Sequence, residues 1–231
     1  MSLRGGPNAL LLDFSYGYDI LSATAVDDII LFARGGRLKG IMLAIPCNSF
    51  SGARRAPLGS KMPRRLRSDT QPYGITGLCE GDVKTAEIGN RIVAACMRII
   101  KVCNELRIPW IVENPRGSFL WKMPDYVKLA QHAAVRVQHC HQCQYKCPWM
   151  KPTTFMSGNC QYAPQLELRC CMRKGYCSKT NQPHFVLSNP SVTKQAQTYS
   201  QELAAALASV FREAWIAIFL DDNNSAFFKR R

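Results

Sequence analysis

Apolar residues along the chain alternate between short continuous runs and stretches with helical spacing. The short runs at 9–14, 40–45 and 108–112 predict buried strands. Residues 25–37 and 82–106 carry apolar side chains at the spacing of an amphipathic helix, and Gly35-Gly36 predicts the end of the first helix. Strands that alternate with helices are typical of an α/β fold with a mostly parallel sheet.

The second half of the chain carries weaker strand patterns and one strong helical pattern. Short strands are expected at 135–137 and 154–156, and an amphipathic helix at 200–220. This divides the chain into a core at 1–156, a cysteine-rich segment at 157–199, and a C-terminal helix and tail at 200–231. No apolar run reaches the length of about 18 residues that a membrane span requires, so we expect no membrane partner.

Three polar residues lie at the ends of predicted strands: Asp13, Cys47 and Glu113. Functional residues of parallel sheets gather at the carboxyl ends of the strands, so these side chains mark a candidate site. A thiol beside backbone amides and an arginine-rich loop is expected to have a lowered pKa and to act as a nucleophile. A partly desolvated carboxyl group can stay protonated and donate its proton to a ring nitrogen. The alternatives are a buried structural cysteine and a helix-capping glutamate.

The charge of the chain favours a polyanionic partner. Lys and Arg exceed Asp and Glu by 30 − 16 = +14, and nucleic acid is the first expectation for such a balance. Much of this charge lies in a long loop between Cys47 and Asp82, which has almost no hydrophobic periodicity. Basic residues in this loop are Arg54, Arg55, Lys61, Arg64, Arg65 and Arg67. The alternative is a solvated run of charges with no partner.

Eleven cysteines, an odd number, and the lack of a signal-peptide pattern predict reduced thiols and an intracellular location. The region after residue 139 is rich in cysteine and histidine. Candidate ligands for a structural zinc ion are Cys143, Cys160, Cys171, Cys177 and His184. The alternative is a loop region of reduced thiols without metal.

Two motifs in order along the chain resemble those of the DNA cytosine-5 methyltransferases. Pro46-Cys47 followed by Ser49-Phe50-Ser51 is similar to the family's PC-x-x-FS, and Glu113-Asn114-Pro115 is similar to its ENV, with proline in place of valine. Weaker matches are Tyr18-Asp19-Ile20, Asp13, Asp82 with Lys84, and the run Tyr145, Pro148, Lys151, Thr153 and Phe155. The resemblance spans roughly residues 8–156.

The resemblance implies a Rossmann-like sheet that binds S-adenosylmethionine and methylates cytosine C5 in DNA. Cys47 and Glu113 would be catalytic, with the thiolate adding at C6 and the carboxyl group meeting N3 of a base flipped out of the duplex. The implied cofactor residues are Asp13, Asp19, Ile20, Pro46 and Asp82. The implied nucleic-acid contacts are Ser51, Arg54, Arg55, Arg64, Arg65, Arg67, Lys151 and Thr153.

The family's glycine-rich loop, F-x-G-x-G-G, has no counterpart in the chain, so we expect the sheet to lack its first strand. Three alternatives therefore stay open. The chain is an active enzyme, a truncated or inactive relative that binds nucleic acid without methylating it, or an enzyme that acts on RNA. A eukaryotic protein of this kind is expected in the nucleus.

Overall fold

The computed structural model describes residue 12 and residues 17–22, 24–52, 54, 64–172, 175–187 and 190–228, with the backbone alone at 190–192, 219 and 221–228. Several predicted features lie outside the described residues: Asp13, Arg55, Lys61 and nearly all of the strand at 9–14.

Helices and strands follow the predicted order. The strands are β1 (Ile41–Ala44), β2 (Trp110–Pro115), β3 (Val135–His141) and β4 (Pro152–Gly158). The helices are α1 (Ala25–Arg34), α2 (Glu80–Glu105), α3 (Pro124–Ala130), α4 (Pro190–Gln195) and α5 (Gln201–Phe228). The predictions from periodicity for α1, α2, α5 and the four described strands are confirmed, although α5 continues to Phe228, past its predicted end at residue 220. α3 and α4 were not predicted. The division into three segments stays a prediction.

The four described strands form one mixed sheet in the order β1-β2-β4-β3. β1 and β2 are parallel, whereas β4 is antiparallel to both β2 and β3. The expectation of a mostly parallel sheet is therefore wrong for the described strands. Parallel neighbours need a crossover of a dozen or more residues, and the turn at 142–151 between β3 and β4 is too short for one. The architecture is α/β and is compatible with a Rossmann-like fold.

Helices cover both faces of the sheet, and successive side chains of β2 show why. Trp110 and Val112 point into a core shared with α1, α2 and α3, whereas Ile111 packs with Leu203 and Leu207 of α5 on the other face. All five side chains are fully buried. Because strand side chains alternate between faces, Glu113 shares the α5 face with Ile111.

β2 is longer than predicted, and its extension changes the position of Glu113. The strand continues through Pro115, with Glu113 paired to Ala44 of β1 and Phe155 of β4. The expectation that Glu113 lies just past the strand is therefore wrong, because the strand does not end at Val112. The Asn114 amide nitrogen donates to the Ile45 carbonyl oxygen at 2.6 Å, and this bond ties β2 to the segment that leads to Cys47.

None of the helices in the described part of the chain combines the length and the apolar character needed to cross a bilayer.

We expect Gly158→Ala to destabilise the protein by about 1–3 kcal/mol, because a Cβ atom there would overlap the buried Trp110 ring. Gly81→Ala is the matched control, since its Cβ would meet no atom within 4 Å and alanine favours the helical conformation of α2. Urea unfolding of both variants measures the difference. Equal stabilities would contradict the close packing of β4 against Trp110.

Candidate active site

Cys47 and Glu113 are brought together by the parallel pairing of β1 with β2. Glu113 pairs with Ala44, and Cys47 follows three residues after Ala44 in the turn that leaves β1. The two groups interact electrostatically, since the Glu113 charge raises the pKa of the Cys47 thiol. The juxtaposition of these two predicted residues is thus a property of the fold.

The Glu113 carboxyl group is buried, and only one of its two oxygen atoms has a hydrogen-bond partner among the described residues. Its Oε2 atom accepts a hydrogen bond from the Tyr199 hydroxyl at 3.0 Å. Its Oε1 atom is buried without a hydrogen-bond partner among the described residues. Burial raises the pKa of the carboxyl group, while the Lys151 charge and the Tyr199 hydrogen bond act in the opposite direction. Burial therefore shifts this carboxyl group towards its protonated form.

The half-buried Cys47 thiol does not have the lowered pKa that we expected from its sequence context. Burial raises its pKa, and the Glu113 charge adds to the increase. The opposing charge comes from Lys151, not from the arginine-rich loop. The expectation was wrong because it counted nearby cations in the sequence and left out the desolvation of the thiol.

Lys151 ends the turn between β3 and β4 and supplies positive charge to the site. Its Nζ atom donates to the Ala196 carbonyl oxygen at 2.8 Å, and its charge lowers the pKa of both Cys47 and Glu113. Its backbone φ of 26° lies in the left-handed region. The Lys151 charge thus acts on both candidate catalytic groups, and its expected contact with nucleic acid stays a prediction.

Arg67 is a correction to the predicted nucleic-acid contacts. Its side chain is fully buried and its guanidinium lies over the Phe50 ring, 4.0 Å from the ring centre. Its donors bond to the Ser49 carbonyl and hydroxyl oxygens, the Pro72 and Ala86 carbonyl oxygens, and Asn90 Oδ1. Burial lowers its pKa to about 10, so it stays charged at neutral pH. Arg67 holds the Cys47–Ser51 turn against α2 and has no donor to offer a phosphate.

Arg64, a predicted nucleic-acid contact, and Asp82, a predicted cofactor residue, form an ion pair with each other. Arg64 Nε donates to Asp82 Oδ2 at 2.7 Å in a half-buried ion pair. The Arg64 hydrogen bond lowers the pKa of the Asp82 carboxyl group. This pair occupies both the predicted cofactor residue Asp82 and the predicted phosphate contact Arg64.

Three other predicted nucleic-acid residues border the turn that follows β1. Arg65 is exposed and lies over the Phe119 ring at 5.3 Å. The half-buried Arg54 has its Nη1 atom without a hydrogen-bond partner among the described residues. Ser51 forms an isolated β-bridge with Ser118. The loop therefore leaves Arg65 open to solvent and one nitrogen of Arg54 unpaired.

Thr153 is fully buried inside the sheet, which corrects its expected contact with nucleic acid. Its hydroxyl donates to the Lys151 carbonyl oxygen at 3.1 Å and accepts from Gln142 Nε2 at 3.2 Å. Both bonds are internal to the turn between β3 and β4, so Thr153 stabilises this turn.

The predicted cofactor residues other than Asp13 and Asp82 lie at the surface or near it. Asp19 is exposed, and its Oδ1 atom accepts from the Leu21 backbone at 2.9 Å in a tight turn. Ile20 packs against the core below α1, and Pro46 is exposed beside Cys47. The cofactor contact of these three residues stays a prediction.

A buried Cys3His cluster that can bind a metal ion is formed by Cys143, Cys170, Cys177 and His184. Of the predicted ligands, Cys143, Cys177 and His184 are brought together, whereas Cys160 and Cys171 are not. Cys160 packs beside the Trp110 carbonyl on the α5 face, and Cys171 is exposed. Cys170 takes the place that we assigned to its neighbour, because the chain direction there turns one thiol inward and the next one outward.

Two residues of these sites were missed from the sequence. Tyr199 contacts Glu113 from 86 residues away, and no local motif marks it. Cys170 could have been found from the even spacing of Cys170, Cys177 and His184, which lie seven residues apart.

A cavity of about 350 Å³ lies elsewhere in the molecule and is lined by Arg107, Asn159, Cys160, Gln161, Ala214, Ala217 and Ile218. Asn159 follows β4 where Gly158 pairs with Trp110, at the start of β2. This cavity is therefore at the end of the sheet opposite Glu113 and is not the candidate active site.

Comparisons of the chain with protein-family models, with curated proteins and with solved structures found no match. The chemistry of the site must therefore be argued from its own residues.

We expect Arg67→Met to lower the free energy of unfolding by at least about 2 kcal/mol, because it leaves several buried oxygen atoms without a donor. Arg65→Met, which removes an exposed arginine from an aromatic ring, should cost less than about 1 kcal/mol. Urea unfolding measures both. Similar losses for the two variants would show that Arg67 does not anchor the turn.

Glu113→Gln should become more stable than the wild-type protein as the pH rises. A carboxyl group whose pKa is raised in the folded state contributes stability below its ordinary pKa of about 4.3, and this contribution is lost as the pH rises through the folded pKa. Glutamine imitates the protonated acid and escapes this loss. Urea unfolding between pH 4 and pH 8 checks it, with the exposed Glu87→Gln as control. A stability difference that does not change with pH would contradict the raised pKa.

Proposed function

We propose that the chain is a DNA cytosine-5 methyltransferase of Rossmann-like fold, in which Cys47 forms a covalent adduct with the target base. The observation that carries this proposal is the buried Glu113 Oε1 atom, which has no hydrogen-bond partner among the described residues. A buried polar atom without a protein partner is normally satisfied by water or by a ligand. The N3 and N4 groups of a cytosine ring offer such a partner.

Cytosine C5 is too weak a nucleophile to accept a methyl group unaided. Cys47 and Glu113 together would make C5 more nucleophilic. The Cys47 thiolate forms a bond to C6, and the displaced electron pair moves through the ring towards N3, where the Glu113 proton neutralises it. C5 then acts as the carbon nucleophile. A water molecule then takes the C5 proton, the C5–C6 double bond re-forms as the bond between sulfur and C6 breaks, Cys47 leaves as the thiolate, and N3 returns its proton to Glu113.

Two further side chains prepare this chemistry. The Lys151 charge favours the Cys47 thiolate in a site where burial opposes it. The Tyr199 hydroxyl occupies Oε2 of Glu113 and thereby leaves Oε1 for the base. Lys151 and Tyr199 act through the two catalytic groups and are positioning residues.

S-adenosylmethionine would supply the methyl group when bound. Asp82 would contact it only through Oδ1, because Arg64 and Cys79 donate to its Oδ2 atom. Asp19, Ile20 and Pro46 are the other described residues that would contact the cofactor, and Asp19 Oδ1 already accepts from the Leu21 backbone.

DNA is the proposed substrate because of charge and access. The net charge of +14 attracts a polyanion, and the exposed Arg65 lies on the loop that follows Cys47. The reacting atoms of cytosine lie inside the duplex, so the base must flip out to reach Cys47. A eukaryotic protein with this substrate would work in the nucleus.

The test is a covalent trap. A duplex that carries 5-fluorocytosine cannot lose the group at C5, so the adduct with Cys47 should accumulate when S-adenosylmethionine is present. We expect a protein–DNA band that survives denaturing electrophoresis for the wild-type chain and for Cys79→Ala, a control at an exposed thiol. Cys47→Ala should give no such band.

Three results would separate the alternatives. Salt-dependent DNA binding without a trapped band, together with no calorimetric binding of S-adenosylhomocysteine, would contradict methyl transfer and favour a silent nucleic-acid-binding protein. A band formed only with the corresponding RNA would reassign the substrate. Cofactor binding at micromolar affinity, about −8 kcal/mol, would support the enzyme.

A further inference from the structure

A second group of reactive side chains lies outside the candidate active site. The ligand atoms of Cys143, Cys170, Cys177 and His184 all lie within 4.8 Å of one another, and Cys170 Sγ is 3.8 Å from His184 Nε2. In a tetrahedral zinc site with ordinary bond lengths, neighbouring ligand atoms are about 3.5–3.8 Å apart. Shifts of about 1 Å would therefore complete such a site. None of the three thiols forms a disulfide.

Polar hydrogens point at the sulfur atoms of this cluster. The backbone N–H groups of Met172 and Ser178 donate to Cys170 Sγ at 3.4 and 3.3 Å. The Gln144 amide nitrogen lies 3.7 Å from Cys143 Sγ and 3.8 Å from Cys177 Sγ. Donors of this kind satisfy the charge of metal-bound thiolates, as the outer contacts of metal sites generally do.

The loop that carries three of the ligands has little else to hold it together. Its described residues 170–172 and 175–187 form one isolated bridge, between Tyr176 and Pro183, and no helix or strand. Large apolar side chains of the loop face solvent, with Phe185 68% and Val186 76% exposed. The three cysteines form a small separate cluster with Met150. A segment without a hydrophobic core typically folds around a metal or a disulfide.

We propose that Cys143, Cys170, Cys177 and His184 bind a structural zinc ion. Three thiolates and one imidazole fill all four positions of a tetrahedral site and leave none for a substrate. Three thiolates and one imidazole favour zinc over magnesium and calcium, which prefer oxygen ligands. Tetrahedral coordination by sulfur and nitrogen is also typical of zinc.

The metal fastens the loop to the turn between β3 and β4. Cys143 belongs to this turn, and the other three ligands belong to the loop. Lys179 Nζ donates to the Gln144 carbonyl oxygen, and the Phe185 N–H donates to the Pro148 carbonyl oxygen at 2.9 Å. These contacts support the turn that ends at Lys151. The zinc site stands whether or not the chain methylates DNA.

The experiment measures metal in the purified full chain. Inductively coupled plasma mass spectrometry should find about one zinc ion per chain in the wild-type protein and in Cys171→Ser, whose exposed thiol lies outside the cluster. Cys177→Ser and Cys143→Ser should lose most of it. Cobalt exchanged into the wild-type protein should give the absorption of a tetrahedral thiolate site, a result that does not depend on the variants folding.

Clear outcomes would overturn the proposal. A folded wild-type chain that carries no zinc after purification and shows no tetrahedral cobalt spectrum would have a cluster of reduced thiols without metal. Equal zinc loss in Cys171→Ser and Cys177→Ser would assign the metal to a different set of cysteines.

Discussion

The parallel pairing of β1 with β2 is the constraint on which the candidate active site depends. It sets Ala44 opposite Glu113, so the chain that leaves β1 must carry Cys47 past the carboxyl group on the neighbouring strand. The Asn114 amide strengthens this join with its bond to the Ile45 carbonyl oxygen. A shift of one residue in this register would turn Glu113 towards the other face of the sheet and away from Tyr199.

A buried cation fixes the turn that follows. The Arg67 guanidinium sits between Phe50 and α2 and bonds to both oxygen atoms of Ser49, two residues after Cys47. α2 approaches so closely here that a Cβ atom on Gly89 would collide with Ser49 and Arg67. Burying an arginine costs solvation free energy, and a full set of hydrogen bonds offsets this cost. The position of the Cys47 thiol therefore depends on an arginine that never faces solvent.

The spacing of apolar residues was enough to predict α1, α2, α5 and the four described strands. Each of these elements buries one face, so its apolar residues recur at the period of a helix or a strand. The position of β4 between β2 and β3 was not predictable, since strand order depends on pairing between distant segments. Six basic residues in one loop look alike in sequence, yet burial separates Arg67 from Arg65. In the same way, adjacent thiols at Cys170 and Cys171 differ only in the direction in which the backbone turns them. Tyr199 has no local signal because its partner is on another element.

The turn between β3 and β4 joins the two candidate sites through short contacts. Gln142 lies at its start, where its side chain donates to Thr153 and accepts from Trp149, and Lys151 lies at its end. Lys151 has a backbone conformation that costs energy for a residue with a side chain, so its neighbours must hold it there. Glu113 shows the same compromise, because its burial disfavours the charged form and leaves one oxygen unpaired. Groups held in such unfavourable states are common at ligand-binding and catalytic sites, and here Lys151 and Glu113 both act on Cys47.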